Sequence, residues 1–216
     1  FTFLVGYPLQ LLQPWHAFAA WSIIHILTTT ILLFFLWRKF KHHKYIYLAL
    51  SLFLLNSYHY YEIWVNQYHF LLNLFTVLFL YESKTHGDSI KSGIYLLLSL
   101  LVKPIGILWL IPLLLYRRFK TTLIGFGIFA VITTIYSTLP FGQYYLNNLL
   151  NIIPAHVVAL NTNIYGITSL IPAIPIQFII YLNYAVALSI LTLQFIKKPP
   201  LFTIITLWIC YSLLFY

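Results

Sequence analysis

Acidic side chains are scarce in this sequence: three Asp and Glu stand against twelve Lys and Arg in 216 residues. Charged residues of both signs make up only 7% of the chain, while 62% is hydrophobic. A soluble domain of this size needs far more charge to cover its surface, so that class is excluded. The single cysteine, Cys210, allows no internal disulfide and says nothing of redox compartment. Methionine does not occur, and no basic n-region of a signal peptide precedes the first apolar run. The chain is therefore expected to be part of a longer protein, lacking an N-terminal loop and further C-terminal spans. No glycine loop of the nucleotide-binding kind occurs either.

The excess of positive charge, +9 overall, does not point to nucleic acid, because the cations lie between long apolar runs. Eleven of the twelve fall into four short clusters: Arg38 to Lys44, Lys84 to Lys91, Arg117 to Lys120, and Lys197-Lys198. Cationic loops stay on the cytoplasmic side of a membrane, so the clusters fix a topology. The expected fold is an all-α polytopic membrane protein forming a single transmembrane domain over residues 1–216. Ala17 to Trp37 is long enough to span a bilayer. Phe1 to His16 is expected outside, along the interface, with Pro8 and Pro14 as breakers. Tyr45 to about Tyr58 returns outward, and Phe70 to Tyr81 goes back to a polar loop, Glu82 to Lys91. Thr121 to Leu139 crosses outward, Pro140 to Pro172 forms a long outer segment, and Ile174 to Ile196 returns. Leu201 begins a last crossing. No internal repeat or soluble domain is apparent.

The twelfth cation, Lys103, is followed by Pro104 inside the apolar stretch Ser92 to Tyr116. A single crossing there would carry Arg117, Arg118 and Lys120 to the outside, against the charge rule. Two short arms, Ser92 to Val102 and Ile105 to Tyr116, keep them inside. Each arm is about 17 Å long as helix, too short for a core of about 30 Å. A short re-entrant hairpin with Lys103 at its tip is the expected solution, buried in protein or lining a cavity. A lysine at that place either snorkels to the interface and anchors a helix end, or holds an anion such as phosphate as a point charge.

The remaining polar chemistry maps to the outer face. Glu62 is the one acidic residue there and is either a solvated loop residue or a base. His59, His69 and His156 share that face without the spacing of a metal helix, so no metal is expected. Asn66, Gln67, Asn161 and Asn163 are carboxamides at membrane–water boundaries. They suit helix capping and interhelical bonding, or recognition of sugar hydroxyls.

The order of these features resembles glycosyltransferase family 87, membrane enzymes of the C-type glycosyltransferase fold. A Tyr-Pro-Leu segment precedes a span, and Asn66-Gln67-Tyr68-His69 opens an apolar run. Lys103-Pro104 then stands before Arg117-Arg118, and Asn161-Thr162-Asn163-Ile164-Tyr165-Gly166 follows. Gln67 matches the family's Gly-Gln-x-Asn, while Asn66 and His69 depart from it. Lys103-Pro104 matches its Lys-Pro. Asn161 and Gly166 match its Asn-Gln-Ser-x-x-Gly, while Thr162 and Asn163 depart. The resemblance implies a helical bundle that transfers a sugar, mannose first, with inversion on the outer face of the plasma membrane. The donor would be a polyprenyl-phosphate sugar and the acceptor a lipid or glycan hydroxyl, with no cofactor. With this resemblance, the donor phosphate is expected at Lys103, and the outer-face polar residues Glu62, Asn66, Gln67, His69, His156, Asn161 and Asn163 are, by their placement and chemistry, the candidate substrate contacts. Its catalytic Asp is expected upstream of Phe1, since no Asp precedes the first span. The alternatives are a transporter or flippase of lipid-linked sugars, which inverted repeats would support, and a non-enzymatic membrane assembly protein.

Overall fold

The computed structural model of the chain describes residue 9 and residues 11–55, 69–140, 142–143 and 176–215. Elements among these residues are helical, and no strand occurs among them. The chain divides into two compact units, Phe1–Pro104 and Ile105–Tyr216.

The first unit begins with α1 (Pro14–Phe40), 27 residues or about 40 Å long. Pro14 is the first residue of this helix rather than a breaker. A proline at that position loses no hydrogen bond, because the first helical N–H groups have no acceptor within the helix, and its φ is already helical. The face that α1 buries carries Trp21, His25, Thr28, Thr29 and Leu32. Ile23, Ile26, Leu27, Ile31 and Phe34 on the other face are each more than half exposed. Polar groups point inward and aliphatic groups outward, the reverse of a soluble helix and the pattern that suits a lipid-facing surface. Arg38 and Lys39 lie in its last turn, where cations oppose the negative end of the helix dipole.

A turn closes the first basic cluster: the N–H of His43 donates to the carbonyl of Phe40 at 2.7 Å, and that of Ile46 to His43 at 3.1 Å. Helix α2 (Ile46–Leu55) follows. Then come α3 (His69–His86) and α4 (Ile90–Val102). The expected polar loop from Glu82 is shorter than the sequence suggests, because α3 continues through His86. Glu82 and His86 pair at 3.1 Å one helical turn apart, and the Thr85 hydroxyl donates to the Tyr81 carbonyl at 2.9 Å. Gly87, with φ 72, makes the turn. Ser89 caps α4 by accepting from the Ser92 N–H at 3.1 Å, and its own hydroxyl donates to Glu82 at 3.3 Å.

Ring contacts set the directions. Trp21 of α1 meets Phe70 of α3 at 5.3 Å, and further along Phe35 meets Tyr81 at 5.2 Å. Both helices therefore run the same way, and the short turn makes α4 antiparallel to α3. The first two basic clusters consequently share one end of the unit. Lys39 lies over the Tyr81 ring, 4.9 Å from its centre.

A 3-10 helix, Pro104–Trp109, starts at the last residue of the first unit and leads into α5 (Leu110–Leu115) of the second. Helix α5 stops in a Schellman motif: the Arg118 N–H donates to the Leu113 carbonyl at 2.8 Å and the Arg117 N–H to Leu114 at 3.0 Å. Arg117 holds the left-handed position, φ 54, that glycine usually fills there. Helix α6 (Phe119–Thr138) includes a π-helical stretch at Leu123–Gly127. Helices α7 (Ile176–Ile196) and α8 (Leu201–Phe215) flank the turn of the last basic cluster. Leu113, Ile190, Ile204, Ile205 and Trp208 are buried, and so is Gln194, 1% exposed.

By length and apolarity, α1 and α6 can cross a membrane. The helices on either side of Lys103, Ile90–Val102 and Gly106–Leu115, are shorter than α1 and α6. Helix does break between them, since Lys103 is extended at φ −152 and ψ 124. The ring of a following proline disfavours the α region for the residue before it.

Candidate functional site

Helix α4 buries Ser92, Gly93, Leu96, Ser99 and Leu100, a stripe at helical spacing. Three of the five are small, which lets backbones approach closely in a lipid-exposed bundle. Ser99 satisfies its own hydroxyl by donating to the Leu96 carbonyl at 2.8 Å, and its carbonyl accepts the Lys103 N–H at 3.0 Å. Lys103 thus caps the helix, its backbone fixed by hydrogen bonding before its side chain is considered.

The antiparallel course of α3 and α4 brings this cap back toward the start of α3. Helix α3 has 18 residues and α4 has 13, so α4 stops about 7.5 Å short of the start of α3. The extended residue 103 and its long side chain close the difference. Nζ of Lys103 lies 2.9 Å from Nε2 of His69, a contact between residues 34 positions apart. Both residues are partly buried. An ammonium has only donors, so in this contact Nζ donates and Nε2 accepts.

Next to His69 stands Phe70, 2% exposed. Its ring packs edge-on against Trp21 at 5.3 Å and lies tilted against His25 at 4.3 Å. His25 is fully buried. Polar and aromatic groups of three helices therefore meet at the end of the first unit opposite its basic clusters. Sequence reasoning missed His25 and Trp21. A signal was available, since His25, Thr28 and Thr29 repeat at one helical turn within an apolar span.

Of the residues singled out in the sequence, the structure brings together Lys103 and His69. Glu62, Asn66, Gln67, His156, Asn161 and Asn163 lie outside the described residues. Among the described residues no three His, Cys, Asp or Glu side chains converge as a metal site would require. The pair can do two things chemically: present a fixed positive charge to an anion, and hold that charge through a neutral ring nitrogen.

Two helices long and apolar enough to cross a bilayer, with outward aliphatic faces, point to a membrane protein. No curated protein and no solved structure matches the chain significantly. The sequence does match glycosyltransferase family 87 over residues 1–214, almost its entire length. With that match added to the order of motifs, the chain belongs to glycosyltransferase family 87 and is a sugar-transferring enzyme of that family.

Proposed function

We propose that this protein is a polytopic C-type membrane glycosyltransferase. It takes a sugar, mannose first, from a polyprenyl-phosphate donor on the extracytoplasmic face of the plasma membrane. The stretch around Lys103 forms a re-entrant hairpin whose tip reaches that face. The observation that carries this reading is the place of Lys103. It is held beside His69 at the end of the first unit opposite Arg38 to Lys44 and Lys84 to Lys91. If the two clusters are cytoplasmic, as charge asymmetry favours, Lys103 lies toward the other face. A cation retained there, away from the orienting clusters, has a role other than orientation.

The chemistry follows from charge. The acceptor, a hydroxyl of a lipid or glycan, gives its proton to a carboxylate base. Its oxygen attacks the anomeric carbon from the side opposite the phosphate, and the bond from that carbon to the phosphate oxygen breaks. Configuration inverts. The leaving polyprenyl phosphate gains one negative charge, which the Lys103 ammonium stabilises where it develops. A fixed cation in a partly desolvated site needs little reorganisation at that moment. The amides Asn66, Gln67, Asn161 and Asn163, with His156 and Glu62, are proposed to contact the sugar and acceptor.

The test uses membranes carrying the full-length protein. Labelled polyprenyl-phosphate mannose is expected to donate its sugar to a lipid or glycan acceptor with inverted configuration. Transfer from a nucleotide sugar without any lipid-linked intermediate would refute the donor class. Retention of configuration would refute the mechanism.

A further inference from the structure

We infer that His69 is a positioning residue for the Lys103 ammonium, acting on the donor phosphate through that lysine rather than touching substrate itself. This rests on the phosphate-binding role proposed above for Lys103. A lysine side chain has four rotatable carbons and about 2 kcal/mol of rotamer entropy when unrestrained. It makes a poor fixed charge unless something holds its end. Nε2 of His69 supplies that hold at 2.9 Å. An ammonium carries three N–H donors, and committing one to a fixed ring nitrogen sets the direction of the other two.

The ring nitrogen is itself fixed from behind. His69 opens α3, and the next residue, Phe70, is locked between Trp21 and His25 of α1. Packing of α1 on α3 therefore determines where Nε2 stands. On the other side, the Lys103 N–H to Ser99 bond fixes the Cα from which the side chain departs. Two independently held ends leave the chain between them little freedom, which is what preorganisation of a binding charge requires. A neutral acceptor also suits the purpose. A carboxylate in its place would cancel the positive charge that the phosphate needs, whereas an imidazole nitrogen directs the ammonium and leaves its charge intact.

The experiment is a double-mutant cycle on the full-length protein. His69→Phe keeps a ring and removes the acceptor, while His69→Gln and His69→Asn keep an acceptor oxygen. Each is made with Lys103 present and with Lys103→Ala. Two quantities are read: kcat and KM for a polyprenyl-phosphate sugar, and affinity for a fluorescent polyprenyl monophosphate. Thermal unfolding in detergent confirms folding, and His69→Leu replaces His69→Phe if the latter does not fold. The acceptor-free variant is expected to lose roughly tenfold or more in kcat/KM and in monophosphate affinity, the scale of a hydrogen bond to a charged group. The Gln or Asn variant is expected to recover most of it. In the Lys103→Ala background, the acceptor-free change is expected to add less than about twofold.

Equal losses from the acceptor-free variant with and without Lys103 overturn the inference, because His69 then acts independently of the lysine. Wild-type behaviour of the acceptor-free variant overturns it as well. If no polyprenyl-phosphate sugar is transferred but monophosphate affinity still shows the coupling, the donor assignment falls and the positioning role stands. Monophosphate affinity indifferent to both residues refutes the positioning role even where transfer is observed.

Discussion

The two ends of the first unit use lysine in opposite ways. At one end Lys39 lies over the Tyr81 ring, Lys44 over the Tyr45 ring, and further cations surround them. Such charges act together through a field that extends over several ångströms, so each is replaceable by its neighbours. At the other end Lys103 is the sole Lys or Arg among the described residues of that end, and one ring nitrogen fixes its position. No second described cation stands beside it to take its place. On the proposed reading, lysines that look alike in composition serve orientation in one case and placement in the other.

The sharpest way to break this contrast is to ask whether the two ends face opposite sides of the membrane. In a Cys210→Ser background, Trp15→Cys is expected to react with an impermeant thiol reagent applied to intact cells, and Lys84→Cys to remain protected. Labelling of position 84 from outside would place both ends on the wrong sides. Lys103→Ala comes next. Loss of a charge-assisted contact in a partly desolvated site is expected to cost about 2–4 kcal/mol at the transition state, a rate loss of roughly 30- to 1,000-fold. Lys103→Arg is expected to recover only part, since a planar fork does not replace a point charge. Lys39→Ala, in contrast, is expected to change transfer by less than about twofold. Comparable rates for all three variants at matched expression would erase the distinction between the ends.

Smaller effects sharpen the picture of the basic end as structural. Ser89→Ala removes the cap of α4 and the donor to Glu82. It is expected to lower stability by about 1 kcal/mol, seen as an earlier thermal transition in detergent, with transfer by the folded fraction unchanged. Smallest is Lys39→Gln, which removes an exposed cation from the face of the half-buried Tyr81 ring and is expected to cost about 0.5 kcal/mol in the same measurement. A loss of transfer from Ser89→Ala that exceeds its effect on folding would mean that the turn at Gly87 communicates with the site at the far end of α3 and α4.

Part of the candidate site was legible in the sequence, both as single residues and as the approach of Lys103 to the segment around His69. Lys103 drew notice because a cation amid apolar residues is costly, and the break beside it because proline restricts its predecessor. His69 drew notice as a polar residue at the start of an apolar run. The segregation of cations puts the Lys103 tip and the Gln67–His69 segment at outer ends of spans, so their approach is expected from topology. The tertiary structure adds the 2.9 Å contact between Nζ and Nε2, while Gln67 lies outside the described residues. His25 was overlooked, since a histidine inside a span reads as part of the apolar run until its face is known. The helix α3 was read as too short because Glu82 looked like loop, although its pairing with His86 one turn on is a helical signature.

The sequence by itself determined the helical class of the described residues, the shared direction of α1 and α3, where the cations cluster and where the backbone must break at Lys103-Pro104. These follow from local sterics and from the cost of moving charge across lipid, which depend on neighbours in the chain and on the solvent. Only the tertiary structure decided that α1 packs directly on α3 through Trp21, His25 and Phe70, and that it is Nε2 of His69 that receives the Lys103 ammonium. Those outcomes depend on how side chains from distant segments interlock. Interlocking is fixed by shape and hydrogen-bond geometry in three dimensions, which neither periodicity nor composition encodes.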